Sequence, residues 1–311
     1  MEKVHRALFY IVVVVGLAAC AVGASAQEQS EPKEGPPLPL HTIEGVGGLV
    51  LTPTAYLVNP QFELDLSKPA VSVQNVWVGD RDMQVLAATW APSERVELGY
   101  AVNRLDLRDF ASDVAKATPF TVSTGEVYLH HFNLRVQLIN EKECDEAWMP
   151  TVTAGVHYKY NSDINDIDRE MGGTLIGLGY DDDSDGVDLT LTASKTVTCA
   201  GRPTILSAGV RASRAAQFGL TGFGDEYLVS FEGGAVMLVT DQLALGAEVR
   251  QKRDQYADIP GIVEGEDTWW DVHAAYILNN NAEVYAVVGD AGAVLNHTDE
   301  TFWGLVFKYE F

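Results

Sequence analysis

The sequence alternates between apolar and polar residues over many short runs, a pattern that predicts strands with one apolar and one polar face. The run at 151–160 reads TVTAGVHYKY, and the run at 242–250 reads QLALGAEVR. Twelve runs can be counted, at 70–78, 83–91, 95–104, 126–139, 151–160, 186–197, 203–214, 227–239, 242–252, 268–278, 282–289 and 301–311. Most of the sequence beyond residue 70 is therefore expected to be antiparallel β-structure.

The last run indicates where the sheet closes. Gly304 is followed by Phe307, Tyr309 and the terminal Phe311, so that aromatic residues recur at every second position. The intervening positions include Lys308, which suits a strand with lipid on one side and a polar interior on the other. We interpret Gly304, Phe307, Tyr309 and Phe311 as the signal that engages the barrel-assembly machinery.

The connections between the runs predict the same architecture. The even-numbered connections are mostly short, whereas the odd-numbered connections are mostly longer. The longest connection comprises residues 161–185. Short periplasmic turns, longer external loops and both termini on one side are typical of bacterial outer-membrane barrels. We therefore predict one all-β domain at 70–311, an antiparallel transmembrane β-barrel of about 12 strands in the outer membrane of a Gram-negative bacterium.

The first 41 residues read as targeting and linker segments. Lys3 and Arg6 precede an apolar run, and a small-residue motif predicts cleavage after Ala26, so residues 1–26 are a signal peptide. Cys20 also completes a lipobox-like sequence, which leaves lipidation as an alternative. Residues 27–41 are rich in Pro and Glu and predict a disordered periplasmic arm.

Residues 42–69 have two possible structures. The stretch IEGVGGLVLTP is too rich in Gly and Pro for an ordinary central strand. It could fold into the lumen as a plug, since glycine permits close backbone approach, or it could add strands and raise the count to 14.

Composition and charge narrow the class of protein. The chain has 28 glycines and a formal net charge of −23, and its mean hydropathy is zero. This composition suits a barrel wall whose side chains face lipid and water alternately. The strong negative charge argues against nucleic-acid partners. Acidic residues in the predicted external loops suggest cation selectivity for any conductance; they are Asp163, Asp166, Asp168, Glu170, Asp181, Asp182, Asp183, Asp185, Glu264, Glu266 and Asp267.

Two further patterns suggest local chemistry. Cys144 and Cys199 fall in neighbouring predicted periplasmic turns, and the oxidising periplasm would favour a disulfide between them. Asp181, Asp183 and Asp185 resemble the first half of a calcium loop, but the bidentate Glu of such loops is missing. An acidic external turn is the better interpretation, so no metal or other cofactor is expected.

The alternation also predicts which charged side chains face the lumen: Glu97, Arg135, His157, Lys159, Asp188, Glu248, Arg250, Asp271, His273, Lys308 and Glu310. Opposite charges facing one another across a barrel can line a narrow aqueous path, or they can form a salt-bridged core that conducts nothing. The residue pattern is compatible with both.

Enzymatic function is not expected. The chain has no G-x-S-x-G, HExxH, CxxC or Walker lysine motif. His130 or His131 could serve a hydrolase on the barrel wall, but nothing in the sequence places a serine beside them.

Several stretches resemble an uncharacterised family of proteobacterial outer-membrane proteins, a domain of unknown function; they include IEGVGGLVLTP, PTVTAGVHYKYN and ASRAAQFGLTGFGDE. The strongest match runs from Gln217 to Asp225. The resemblance implies a secreted single-domain barrel and no reaction. We therefore expect a small channel or transporter-like protein in outer-membrane lipid that carries an unidentified small solute. The alternative is a non-conducting structural or adhesion barrel.

Overall fold

The computed structural model describes residues 40–60, 68–141, 148–255, 268–294 and 300–311. Within these ranges it contains fourteen strands. They are β1 (Leu40–His41), β2 (Gly47–Gly48), β3 (Ala70–Val78), β4 (Arg81–Ser93), β5 (Val96–Asp106), β6 (Glu126–Ile139), β7 (Thr151–Asn161), β8 (Asp185–Cys199), β9 (Arg202–Ala215), β10 (Phe223–Leu238), β11 (Leu243–Arg250), β12 (Trp269–Ile277), β13 (Ala282–Asp290) and β14 (Thr301–Glu310).

Strands β3 to β14 form one closed antiparallel barrel of twelve strands. Each strand pairs with its neighbour in sequence, and β14 pairs with β3 from Glu310↔Ala70 to Phe302↔Val78, which closes the ring. The predicted count of twelve is confirmed. The two short strands β1 and β2 pair only with each other, so they do not extend the wall to fourteen strands.

The outer face of the wall is apolar, whereas much of the inner face is polar. On β6, Phe132 is 50% exposed, whereas the flanking His131 and Asn133 are buried. The same alternation runs through β7, β11 and β14, because successive side chains of a strand point to opposite faces. A closed barrel with an apolar outer surface and an ionic interior is built for lipid, and this architecture places the protein in the bacterial outer membrane.

The two ends of the barrel differ. The end at which β3 begins and β14 ends has mostly short turns, as is typical of the periplasmic side of such barrels. At the opposite end, the external loops contain helices α1 (Phe110–Ala117), α2 (Ile164–Glu170) and α3 (Thr174–Gly177). No helix in the described part of the chain has the length and apolar character needed to cross a membrane.

Several strands extend beyond their predicted ends. β4 begins at Arg81, two residues earlier than predicted, because Gly79 and Asp80 alone form the turn from β3. Gly79 has φ of 58°, a backbone conformation that glycine adopts without steric cost. β10 begins at Phe223, four residues earlier than predicted.

Residues 40–58, which precede the first wall strand in the chain, lie inside the barrel. All residues from 40 to 58 are buried, and we call this segment the plug. Leu40 and His41, which the sequence assigned to the disordered arm, form β1 within it. Tyr285 on the wall donates its hydroxyl to the carbonyl of His41 at 2.6 Å, so the ordered structure begins before residue 42.

Candidate functional site

The plug approaches the wall closely because its glycines have no side chains. Gly45 has φ of 76°, and a Cβ at this position would lie 2.7 Å from the Cβ of Ala101 on β5. A Cβ on Gly48 would lie 2.4 Å from the carbonyl oxygen of Thr52 within the plug itself. The Gly-rich sequence therefore permits a tight turn that lies directly against the barrel wall.

One carboxylate on β11 anchors the middle of the plug. The backbone N–H groups of Val50, Leu51 and Thr52 all donate to the carboxyl oxygens of Glu248, each at 2.7 Å. Three consecutive N–H groups that converge on one side chain satisfy backbone donors that would otherwise be buried without partners. Glu248 thus takes the place of a partner strand for this turn.

A second anchor lies across the lumen on β5 and β6. The carboxylate of Glu97 accepts hydrogen bonds from the N–H of Val58 at 2.7 Å and of Gly47 at 3.2 Å. Arg135 donates to the same carboxylate and to the carbonyl of Gly47, both at 2.8 Å, and also to the carbonyl of Thr54. The Glu97–Arg135 pair therefore binds both ends of the plug's central loop.

The side chain of Glu44 joins the plug to an ion cluster on the wall. Its carboxylate lies 2.5 Å from Lys159 Nζ, 2.8 Å from Arg250 Nη1 and 3.0 Å from Arg211 Nη2. Wall carboxylates complete the cluster: Asp188 contacts Lys159 and Arg211, and Glu232 contacts Arg211 at 3.1 Å.

Glu44 balances the charge of this cluster. The wall contributes three cations and two carboxylates, so Glu44 supplies the third negative charge. Burial by itself raises the pKa of Glu44, but the charges of Arg211, Arg250 and Lys159 outweigh that effect and hold its pKa well below its ordinary value. Removing one partner of such a buried network costs about 3–5 kcal/mol, because it leaves a charge uncompensated.

The remaining predicted lumen residues are also buried. His157 contacts Asn133 and Thr190, whereas Lys308 contacts Glu283 at 3.3 Å and Glu310 at 2.6 Å near the periplasmic rim. The structure places the side chains of all eleven predicted lumen residues in the interior: Glu97, Arg135, His157, Lys159, Asp188, Glu248, Arg250, Asp271, His273, Lys308 and Glu310. Apart from His157, each of them contacts the plug or another charged residue of the interior.

The described residues contain one group of three side chains that could hold a metal ion: Glu248, Asp271 and His273. His273 Nδ1 lies 2.8 Å from Asp271 Oδ1, and both oxygens of Glu248 already accept N–H groups of the plug. These contacts give Glu248 a structural role in the closed barrel.

A second buried segment lies at the external end of the barrel. Residues 216–222, between β9 and β10, are buried inside the mouth, and we call them the inner loop. Phe218 packs edge-on against Trp269 with ring centroids 4.1 Å apart, and its ring lies 4.1 Å from the guanidinium of Arg250. Gln217 and Phe218 have φ of 44° and 65°, a left-handed conformation that costs about 1–3 kcal/mol at each non-glycine residue.

Other predicted residues have different surroundings. Asp181 pairs with Arg214, so this member of the proposed calcium turn already has a cationic partner. In the external loops, Asp163 accepts the N–H of Tyr128, and Glu170 accepts that of Ser123. These loop carboxylates brace the helices. Glu264, Glu266 and Asp267 lie outside the described residues.

The two histidines considered for catalysis lie on opposite faces of β6. His130 faces outward and contacts the Tyr100 hydroxyl at 2.9 Å, whereas His131 is fully buried. Cys199 is exposed at the end of β8 and has no disulfide partner among the described residues. Cys144, Cys20 and the signal peptide lie outside the described residues, so the disulfide and the processing site stay predictions.

Three charged residues of the ion cluster between the plug and the wall were missed in the reading of the sequence. Arg211 and Glu232 belong to the ion cluster, and Glu44 is its contribution from the plug. Arg211 on β9 and Glu232 on β10 occupy positions whose side chains point inward. Strict application of the two-residue alternation to these strands would have identified both. Nothing in the sequence signals that Glu44 meets them, because that contact depends on the path of the plug through the lumen.

Residues 39–308 match the family described as "Protein of unknown function (DUF3034)". The chain belongs to this family. The resemblance inferred from the sequence motifs is therefore confirmed, and family membership adds no activity. No curated protein sequence matches this one.

The barrel is similar to several solved outer-membrane proteins. The KdgM porin is 11% identical, with a TM-score of 0.47, over 78% of this chain and 99% of that chain. Omp33 of Acinetobacter baumannii is 13% identical, with a TM-score of 0.44, over 79% and 98% of the two chains. The COG4313 outer membrane channel of Pseudomonas putida F1 is 15% identical, with a TM-score of 0.44, over 82% and 100%. At these values the likeness supports no conclusion about solute or activity.

Proposed function

We propose that this protein is a gated outer-membrane channel or transporter, closed on the periplasmic side by the plug and on the external side by the inner loop. The observation that carries the proposal is the attachment of the plug. It pairs with no wall strand and is held by wall side chains, chiefly Glu97, Arg135 and Glu248. Such contacts can break while the hydrogen-bond ladder of the barrel stays intact.

The polar interior supports passage once the plug moves. Without Glu44, the ion cluster keeps three cations against two carboxylates, so a local positive potential forms where the path is closed. The external acidic loops would favour cations at the mouth, whereas this cluster would favour anions deeper inside. We propose that the interior cluster sets the selectivity of the open state, in place of the cation selectivity suggested by the loops.

A reversible lock tests the proposal. The N–H of Ala55 on the plug donates to Ser194 Oγ on β8 at 2.8 Å, so cysteines at these positions are close enough for a disulfide after small adjustments. The variant carries Ala55→Cys and Ser194→Cys in a background in which Cys144 and Cys199 are replaced. With the disulfide between positions 55 and 194 formed, the barrel should stay closed in planar bilayers, and a reductant that breaks this disulfide should restore conductance. Ser194→Cys alone is the matched control.

The second candidate is a non-conducting structural barrel. It is favoured by the charge balance of the ion cluster and by the number of plug donors that find acceptors on the wall. This candidate would be supported by folded protein that shows no conductance, whether the engineered disulfide is oxidised or reduced. Variants of the plug anchors Glu97, Arg135 and Glu248 should then also show no conductance. Catalysis has no place in either proposal, and assembly through the C-terminal strand by the barrel-assembly machinery belongs to both.

A further inference from the structure

An apolar cavity lies between the plug and the inner loop. Its floor is formed by Ile43, Val50 and Leu51 of the plug, and its roof includes Leu220 of the inner loop. Around it stand further residues of the wall and the neighbouring external loop: Val76, Val78, Arg81, Met83, Leu105, Trp269, Ala291, Val294 and Phe302. Its volume is about 50 Å³, which is room for about three waters, since one water needs about 15 Å³.

A second apolar cavity of similar volume adjoins the first. It lies among Phe110 of α1, Ile164 of α2 and Leu175 of α3, and it shares Leu220 and Thr221 with the first cavity. Only the inner loop separates the two spaces at this point. A rotation of the Leu220 side chain would extend the inner cavity toward the external loops and admit a longer molecule.

One charged side chain in the inner cavity lacks hydrogen-bond partners. Arg81 is 2% exposed, and within the described ranges neither its Nε nor its Nη1 has an acceptor. Asp80 comes within 4.0 Å of Nη1, a distance too long for a hydrogen bond, and its carboxylate is about half exposed. The polar neighbour Gln217 instead donates its amide to the carbonyl of Ala293.

A buried guanidinium without acceptors is costly, so it points to a missing partner. Its planar fork of donors matches the two oxygens of a carboxylate. The surrounding Val, Leu, Met, Trp and Phe side chains match an apolar body. We propose that the two cavities, joined when the Leu220 side chain rotates, bind a small monocarboxylate with a hydrocarbon body, whose head group pairs with Arg81 and whose chain extends past the inner loop into the second cavity.

This inference deepens the proposed function, because it names the solute class on the closed path. Its test needs no ionic current. Protein in lipid nanodiscs free of detergent is titrated with octanoate by calorimetry, and octanol serves as the neutral ligand of equal length. We expect octanoate to bind at least 10-fold more tightly than octanol.

Two variants separate head-group recognition from apolar burial. Arg81→Met keeps the unbranched apolar stem of the side chain and removes the charged guanidinium, so octanoate should lose at least 10-fold in affinity while octanol changes less than 3-fold. Leu105→Trp fills the cavity and should abolish binding of both ligands above the lipid background. Arg108→Met is the matched control, since Arg108 is a half-exposed arginine paired with Asp82 outside the cavity.

Equal octanoate affinity in the wild type and Arg81→Met would overturn the proposal. An octanoate signal that survives Leu105→Trp would also overturn it, because the signal would then come from lipid. Faster migration of unheated samples on gels shows whether each variant is folded, and Met83→Phe replaces Leu105→Trp if the latter fails to fold. A barrel that binds octanoate yet carries no current would refute only the channel proposal.

Discussion

The Glu248→Ala variant should loosen the plug without opening the wall. The substitution removes the acceptor of three N–H groups, those of Val50, Leu51 and Thr52. Each bond contributes about 1 kcal/mol net, so the seated plug should lose about 3 kcal/mol. A difference of about 1.4 kcal/mol is tenfold in an equilibrium constant, and the unseated fraction should therefore rise about 100-fold. Leaving the donors without partners would add to this effect.

Thiol labelling measures the unseated fraction directly. A Leu49→Cys reporter, in a background where Cys144 and Cys199 are replaced by serine, is buried when the plug is seated, since Leu49 is 1% exposed. When opening and closing are fast compared with labelling, the labelling rate follows the open population. The matched control is Glu126→Ala, which removes a half-exposed carboxylate paired with Arg104 and far from the plug.

The expected labelling rate of the Glu248→Ala barrel is about 100 times that of the wild type, whereas Glu126→Ala should leave it unchanged. Heat-modifiable gel mobility should be retained, because the strand ladder is untouched. A labelling rate for Glu248→Ala within threefold of the wild type would show that other contacts hold the plug and that Glu248 is not its anchor.

Four further predictions follow from other parts of the molecule. Because the pKa of Glu44 is depressed, its stabilising contribution is complete above the ordinary range near pH 4.3 and is lost only as pH falls through the lower folded value. The ratio of the Leu49→Cys labelling rates in Glu44→Gln and wild type should therefore stay constant from pH 5 to 8, because the pH dependence of the thiol itself cancels in the ratio; a ratio that changes within that range contradicts the argument. Arg81→Met should raise the melting temperature measured by gel mobility, because a buried unpaired charge is removed; an unchanged or lower value would mean that Arg81 has a partner. Deleting Phe311 should reduce outer-membrane insertion, measured by fractionation; normal insertion would refute its role as an assembly signal. Non-reducing peptide mapping should find Cys144 linked to Cys199; two free thiols would place the turns apart.

The barrel could be predicted from the sequence because its strands lie between lipid and a polar interior. Each strand must then alternate strictly, and in β7 the residues from Thr151 to Lys159 show this with no exception in the structure. Strand ends were predicted less well. β4 begins at Arg81 because a two-residue turn at Gly79 and Asp80 suffices. The prediction had placed the polar residues Arg81 and Asp82 in the turn as well.

The closed state could not be predicted in the same way. The sequence indicated which charges face inward but not which of them meet, because Glu44 and Arg250 are 206 positions apart and no periodicity relates them. Most of the inner loop lies within the stretch from Gln217 to Asp225, which gives the strongest sequence resemblance to the family. Its role depends on a backbone that turns into the mouth at Gln217 and Phe218, and such a conformation leaves no simple mark on the residue pattern.

The position of the plug in the chain has a consequence for biogenesis. The plug precedes β3 in the chain, and the wall closes only when the last strand, β14, pairs with β3. Contacts such as Glu44 with Arg211 and the three N–H groups with Glu248 lie deep within the finished cylinder. We therefore predict that the plug enters the curling sheet before its edges meet, so that Glu44 neutralises the inward-facing cations while the strands assemble.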